Sequence, residues 1–160
     1  MAVDMFLKLD GIKGESHDSK HPGEIDIHSV TWGAQQVGSH GTGGGGGTGK
    51  VHIQDIHITK HVDRASADLF YNCCSGKHIP NGYITLRKAG DKPLEYLKIK
   101  LTDVLVSAVN YAGSGHDDKA METLALNFAK FEQEYFEQKK DGTGETAGRV
   151  GWDVKKNEKV

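Results

Sequence analysis

The chain has only two cysteines among its 160 residues, Cys73 and Cys74. Adjacent cysteines cannot form an ordinary long-range bridge, so a disulfide framework is excluded and synthesis in a reducing cytosol is indicated. Long apolar runs are missing too. The N-terminus, Met1-Ala2-Val3-Asp4-Met5-Phe6-Leu7-Lys8, carries an acid where a signal peptide would be basic. No segment therefore reads as a signal for export by the general route or as a membrane span. Charge of one sign is not in excess: 20 Lys and Arg against 22 Asp and Glu give a formal net charge of -2. Without a basic run there is no electrostatic footprint for nucleic acid, and no attraction to a membrane surface. No internal repeat is evident. The length suits one domain with a single core, spanning residues 1–160.

What the chain has in quantity is glycine, 21 residues, with seven of them between Gly41 and Gly49. Gly44 to Lys50 matches G-x-x-x-x-G-K of a phosphate-binding loop, but Val51 stands where the Mg²⁺-binding hydroxyl belongs. The architecture fails as well. A phosphate loop opens into a helix whose N–H groups point at the ligand, whereas Val51 to Thr59 is β-branched and roughly alternating, as a strand is. The stretch from Gly38 to Lys50 reads instead as a long mobile loop between strands, and loops of that length in a small domain usually have a job.

Strand patterns dominate the remainder. Met5–Leu9 is a short apolar run ending at the turn dipeptide Asp10-Gly11, and Gly14–Gly23 is polar and rich in breakers, as a surface loop is. Glu24 to Gln36 reads as one long strand with Ile25 and Ile27 on one face and His28, Val30 and Trp32 on the other. Ser29 and Thr31 continue the first face, which turns from apolar to small and polar, as if leaving the core to line water. After the glycine loop the phase changes from Val51 and Ile53 to Ile56 and Ile58, predicting a bulge or a move between sheets near Gln54-Asp55. Leu97, Ile99 and Leu101 followed by Val104, Val106 and Ala108 repeat the device, which suits a small barrel or a sandwich corner. A short helix is expected with Ser66 as N-cap, Asp68 in the first turn, a Leu69–Cys73 pair and Gly76 as the stop. Tyr83–Lys88 and Val150–Val154 read as strands. Leu124, Phe128, Phe131 and Tyr135 follow helical spacing while Leu124, Leu126 and Phe128 alternate, and periodicity alone slightly favours a helix from Met121 to Tyr135.

Reactive chemistry has little support. Nine histidines invite a metal site, with His17 and His21, or His52, His57 and His61, as the sets. Pro22 and the turn residues argue against a helical pair at His17 and His21, and His52 and His57 have opposite strand parity. Cys73 and Cys74 fall near a helix C-terminus, where the dipole disfavours a thiolate. There is no G-x-S-x-G elbow. Asp117-Asp118 and Glu132 with Glu134 read as solvated charges, and Trp32 and Trp152 as core or subunit-contact residues. No catalytic, cofactor or metal residues are assigned, and the profile is that of an assembly or binding protein.

Several segments, in order, resemble one family: Met5-Phe6-Leu7-Lys8, Gly11-Ile12-Lys13-Gly14-Glu15-Ser16, Glu24-Ile25-Asp26-Ile27-His28-Ser29, the glycine loop, Gly76-Lys77-His78, Leu86-Arg87-Lys88-Ala89-Gly90, Glu95-Tyr96-Leu97, Asp103-Val104-Leu105-Val106-Ser107, Leu126-Asn127-Phe128-Ala129 and Gly151-Trp152-Asp153. They are similar to the Hcp family, the haemolysin co-regulated proteins that form the tube of the bacterial type VI secretion system. The resemblance implies a mainly β fold, a small β-barrel of two sheets with one short α-helix on its side, closing into homo-hexameric rings that stack. It also implies that Leu124 to Tyr135 is a strand. Implied partners are identical subunits, contractile sheath proteins, a spike protein at the tube tip and small effector proteins in the lumen, with neither nucleic acid nor membrane insertion. Assembly in the bacterial cytoplasm and expulsion by sheath contraction would explain secretion without a signal peptide. The resemblance implies a structural subunit, not an enzyme. Against that background Gly38, His40, Gly44, Gly47, Thr48 and Lys50 are the expected subunit- or ring-contact residues, and Ser29 and Thr31 the expected lumen or effector contacts. Cys74 beside the usual cysteine and several extra histidines depart from the family pattern. The chain stops after the usual C-terminal strand, leaving no expected room for an appended toxin domain.

Overall fold

A computed structural model describes residues 3–38, 40–41 and 49–160. Its elements, in order, are β1 (Val3–Leu9), β2 (Ile25–Asp26), β3 (Ser29–Thr31), β4 (Ala34–Gln35), β5 (His52–Ile53), β6 (Ile56–His61), α1 (Ser66–Ser75), β7 (Ile79–Lys88), β8 (Leu94–Ala112), β9 (Met121–Gln138), β10 (Gly144–Asp153) and β11 (Glu158–Lys159). All pairings among the strands are antiparallel, in the order β11-β10-β9-β8-β7-β1-β2, with β6 joining β9 and β3 joining β6.

That path closes on itself. β2 lies against β1, and two residues later the same stretch of chain lies against β6: Ile27 N–H donates to the Met5 carbonyl at 3.1 Å and His28 N–H to that of Thr59 at 2.7 Å. The segment expected as one strand from Glu24 to Gln36 is therefore three short ones, because it turns a barrel corner at Ile27-His28 and leaves the barrel after Trp32. Closure hides the edges of β1 and β6 that an open sheet would leave unpaired.

The long strands bend together. Leu101 faces Phe131 and Val104 faces Phe128, both pairs buried and each three residues apart along its strand. At the bend Asp103 takes φ 56, a left-handed conformation that aspartate tolerates better than most residues. This corrects the helical reading of Met121–Tyr135. The apparent 3.6-residue period comes from an alternating strand, Leu124-Leu126-Phe128, that changes face before Phe131. The break at Gln54-Asp55 is the predicted move between sheets, since β5 pairs with β4 in a separate two-stranded sheet and β6 enters the barrel.

Inside lie Leu7, Leu9, Ile25, Ile56, Ile58, Leu69, Ile84, Leu101, Leu124 and Leu126, all at most 1% exposed. Each such side chain contributes about 1.5–3 kcal/mol on burial. Helix α1 covers one side through Leu69, with Cys73 half-buried against the core and Cys74 exposed. Gly76 ends it at φ 69, as expected, but its N-cap is Ala65, not Ser66. The Ser66 hydroxyl instead accepts the Asp63 N–H at 2.9 Å, while Asp63 Oδ1 accepts that of Ala65 at 2.9 Å. Tyr83–Lys88 is the second half of a strand that begins at Ile79, and the strand around Val150 is followed by one more.

Candidate assembly surface

Three exposed surfaces stand out. The first is the arm. Ala34 pairs with Ile53 and Gln35 with His52, a short ladder continued by Gln54 N–H donating to the Gly33 carbonyl at 3.0 Å. Its root is fixed by Trp32, whose indole N–H donates to the Gln54 carbonyl at 2.9 Å while the ring meets Phe131 edge-on at 4.8 Å. Gly38, His40 and Lys50 lie beyond this ladder and are exposed, whereas Gly44, Gly47 and Thr48 fall outside the described residues. Beside the root is an open hollow of about 380 Å³ lined largely by Val51, Ile53, Phe131, Val150 and Trp152. Among the described residues the buried Trp152 indole nitrogen has no hydrogen-bond partner.

The second surface is the outer face of β3, β6, β9 and β8. Strand register lines up Ser29, Thr59, Thr123 and Asn110 in one row, and Thr31, His57, Ala125 and Ala108 in the next. His61, Met121 and Ala112 form a third. The Ser29 hydroxyl is hydrogen-bonded to that of Thr59, and Thr31 is exposed. No Lys, Arg, Asp or Glu stands in these rows. Asp55 lies at their border, accepting from Ser107 Oγ at 2.6 Å and Asn127 Nδ2 at 2.8 Å. The same β8 and β9 carry Lys98, Lys100, Lys130, Glu132 and Glu134 on one face beyond the bend. Neutrality is thus a property of one end of the sheet and not of exposed strand in general. The alternation that turns these small groups outward turns Ile56, Ile58, Leu124 and Leu126 inward.

The third surface is an open edge. β11 pairs with β10 at Trp152 and Asp153, and Val160 N–H adds a bond to the Gly151 carbonyl at 3.2 Å, so Gly144–Val150 is the stretch that presents unpaired backbone groups among the described residues. An edge of that kind invites a neighbouring strand. On α1, Phe70 and Tyr71 are 44% and 66% exposed, an apolar patch that Tyr111 extends.

None of the histidine sets comes together as a metal site. Among the described residues no three His, Cys, Asp or Glu side chains form a metal-binding group. His52, His57 and His61 are exposed on strands, His28 meets the His61 ring edge-on at 4.4 Å, and His17 is exposed on its loop. No described helix is long and apolar enough to cross a membrane.

Two buried polar clusters escaped the sequence reading. Lys60 and Glu122, both fully buried, meet at 2.6 Å, and Lys60 Nζ also donates to Asp63 Oδ1 at 2.8 Å and the His61 carbonyl at 2.9 Å. This cluster fastens the start of α1 to the barrel. The Tyr111 hydroxyl joins it by donating to the Ser66 carbonyl at 3.2 Å; burial first, then nearby Glu122 and Asp63, push that phenol up. In the second cluster, Arg87 forks onto Asp18 at 2.7 and 3.0 Å, reaches Asp4 at 3.0 Å and lies over the Phe6 ring. The Arg87 hydrogen bond holds the Asp18 carboxyl well below the usual range, and Asp18 in turn raises the guanidinium. The Gly14–Gly23 segment is consequently not a free surface loop: Gly14, Ser16 and His21 are buried, and a Cβ on Gly14 would collide with the Glu24 carbonyl.

Comparison with known proteins agrees with this architecture. Residues 6–135 match the family described as "Type VI secretion system effector, Hcp". Protein hcp1 of Pseudomonas aeruginosa is 46% identical over 159 residues, covering 98% of each chain. The crystal structure of Hcp1 from Salmonella typhimurium superposes with a TM-score of 0.81 at 39% identity over 100% of both chains. A structure described as a type six secretion system protein reaches 0.92 at 31% identity, covering 99% of this chain and 100% of its own.

Proposed function

Since this chain belongs to the Hcp family, structural tube subunits of the type VI secretion system, we propose how its three surfaces serve that assembly. The 160 residues act as one domain, and the subunits close head-to-tail into a hexameric ring. The Gly38–Lys50 arm reaches an adjacent subunit or ring, with Gly38, His40, Gly44, Gly47, Thr48 and Lys50 at the contact. Glycine there allows close backbone approach. The neutral rows containing Ser29 and Thr31 face the lumen, where small effector proteins travel, while sheath proteins surround the tube and a spike protein tips it. Such a subunit is assembled in the cytoplasm and leaves the cell as part of the expelled tube.

The observation that carries this reading is the arm's construction. A glycine-rich segment has no packing of its own to offer, yet the chain anchors its root with a tryptophan, a strand ladder and an apolar hollow. A rigid root under a glycine-rich tip suits contact with something outside the chain. Replacing residues 38–50 by a short turn should leave the barrel folded and abolish stacked tubes in electron micrographs. Tubes of normal length from that variant would overturn the assignment.

A further inference from the structure

The segment Gly14–Gly23 contains no helix or strand, yet it is a formed unit. Gly14 N–H donates to the Gly23 carbonyl and Gly23 N–H to that of Ser16, each at 2.8 Å, and Ser16 N–H donates to that of Glu24 at 2.9 Å. Two side chains tie this unit to the barrel. One tie is the Arg87 fork onto Asp18. The other is His21, whose ring stacks on Phe6 with centroids 4.3 Å apart and planes 15° from parallel. Its Nδ1 stands 2.8 Å from Glu24 Oε2, and its Nε2 stands 2.6 Å from Glu95 Oε1.

A neutral imidazole has one donor and one acceptor nitrogen. With a carboxylate oxygen at each, a neutral ring would set one nitrogen lone pair against an oxygen lone pair inside hydrogen-bond distance. The geometry requires two protons among the three groups, and an imidazolium between two carboxylates turns both contacts into charge-assisted bonds. We propose that this extra proton is a latch: while it is held, His21 binds the end of the Gly14–Gly23 segment to Glu24, just ahead of β2, and to Glu95 on β8, and when it is lost the Lys20–His21 end lifts from Phe6 while Asp18 stays on Arg87.

The charges around the bridge favour the closed form. Asp4 on β1, Asp26 on β2, Glu24 and Glu95 at the ring itself and Asp18 on the segment are all acids. Against them stand Arg87 on β7, Lys98 on β8, which lies 3.1 Å from Glu95 Oε2, and the exposed Lys20; His17 is exposed beside them. Burial pushes the Glu95 carboxyl up, but hydrogen bonds from His21 and Lys98 outweigh it and hold it below the usual range. Arginine does not titrate in this range. The Arg87 tie is therefore permanent and the His21 tie conditional.

Two measurements on the full chain test this. Nitrogen-15 spectra of the wild-type protein at pH 7 should show the His21 ring protonated at both nitrogens, and a neutral ring would overturn the proposal. Trypsin cleavage after Lys20, scaled to cleavage after the exposed Lys140, should rise about tenfold between pH 7 and pH 9.5, the effect of losing one hydrogen bond to a charged group. In Glu95→Gln the amide can donate to an unprotonated Nε2, so the same ratio should stay flat. Identical profiles in the two proteins would sink the latch.

Discussion

Replacing Lys60 by methionine removes an ammonium group and keeps most of the side-chain volume. Nζ donates to Glu122, Asp63 and the His61 carbonyl at 2.6, 2.8 and 2.9 Å, and Lys60 and Glu122 are both fully buried. After the change Glu122 would be a carboxylate in the core with no cation, and its Oε1 already has no hydrogen-bond partner among the described residues. Breaking a buried pair from one side costs about 3–5 kcal/mol. At about 2–4 °C per kcal/mol for a domain of this size, the melting temperature should fall by roughly 6–20 °C. Helix α1 should suffer first, since Asp63 and Ser66 at its start lose their anchor. The double variant Lys60→Met with Glu122→Leu removes both charges and should recover most of the loss, because an apolar pair of similar volume is often as stable as the ion pair. Urea unfolding at one fixed protein concentration would measure this without confusing subunit stability with ring assembly. A single-variant loss below about 1 kcal/mol, the range of an exposed ion pair, would refute the reasoning. So would a double variant as unstable as the single one.

Two further outcomes are expected. Thr31→Trp places a bulky ring in the neutral rows without touching the core; rings should form normally while retention of a co-expressed effector falls, and undiminished retention would count against the lumen assignment. Asp18 and Glu95 have folded-state carboxyls held below their ordinary values, so their contribution to stability is complete above the ordinary carboxylate range and is lost as pH falls through the lowered values. Melting temperature should therefore drop on acidification below about pH 4, and Asp18→Asn should flatten that drop; an unchanged slope in the variant would show that Asp18 does not contribute.

The elements that could be read from the sequence are those whose signal is local. The helix, its Gly76 stop and the phase changes at Gln54-Asp55 and near Asp103 each lie within a dozen residues. Met121–Tyr135 misled because one bend superimposes two alternating runs into a helical period, and only the resemblance to relatives pointed to a strand. His21 and Lys60 could not be assigned because Glu95 and Glu122 lie 74 and 62 residues away. Ser29 and Thr31 could be read as a small polar face, but its extent could not. Thr59, Thr123 and Asn110 join them only through the register of four strands.

The seven residues from Ile25 to Thr31 decide when this subunit becomes usable. They close the barrel by joining β1 at the start of the chain to β6, which is itself held by β9 from near its end. Contacts of such long sequence separation form late and give β-rich domains folding times of about milliseconds to seconds. Until the last strand is in place, β1 and β6 keep the open edges on which chains misassemble. Barrel closure inside each subunit therefore precedes any contact between folded subunits.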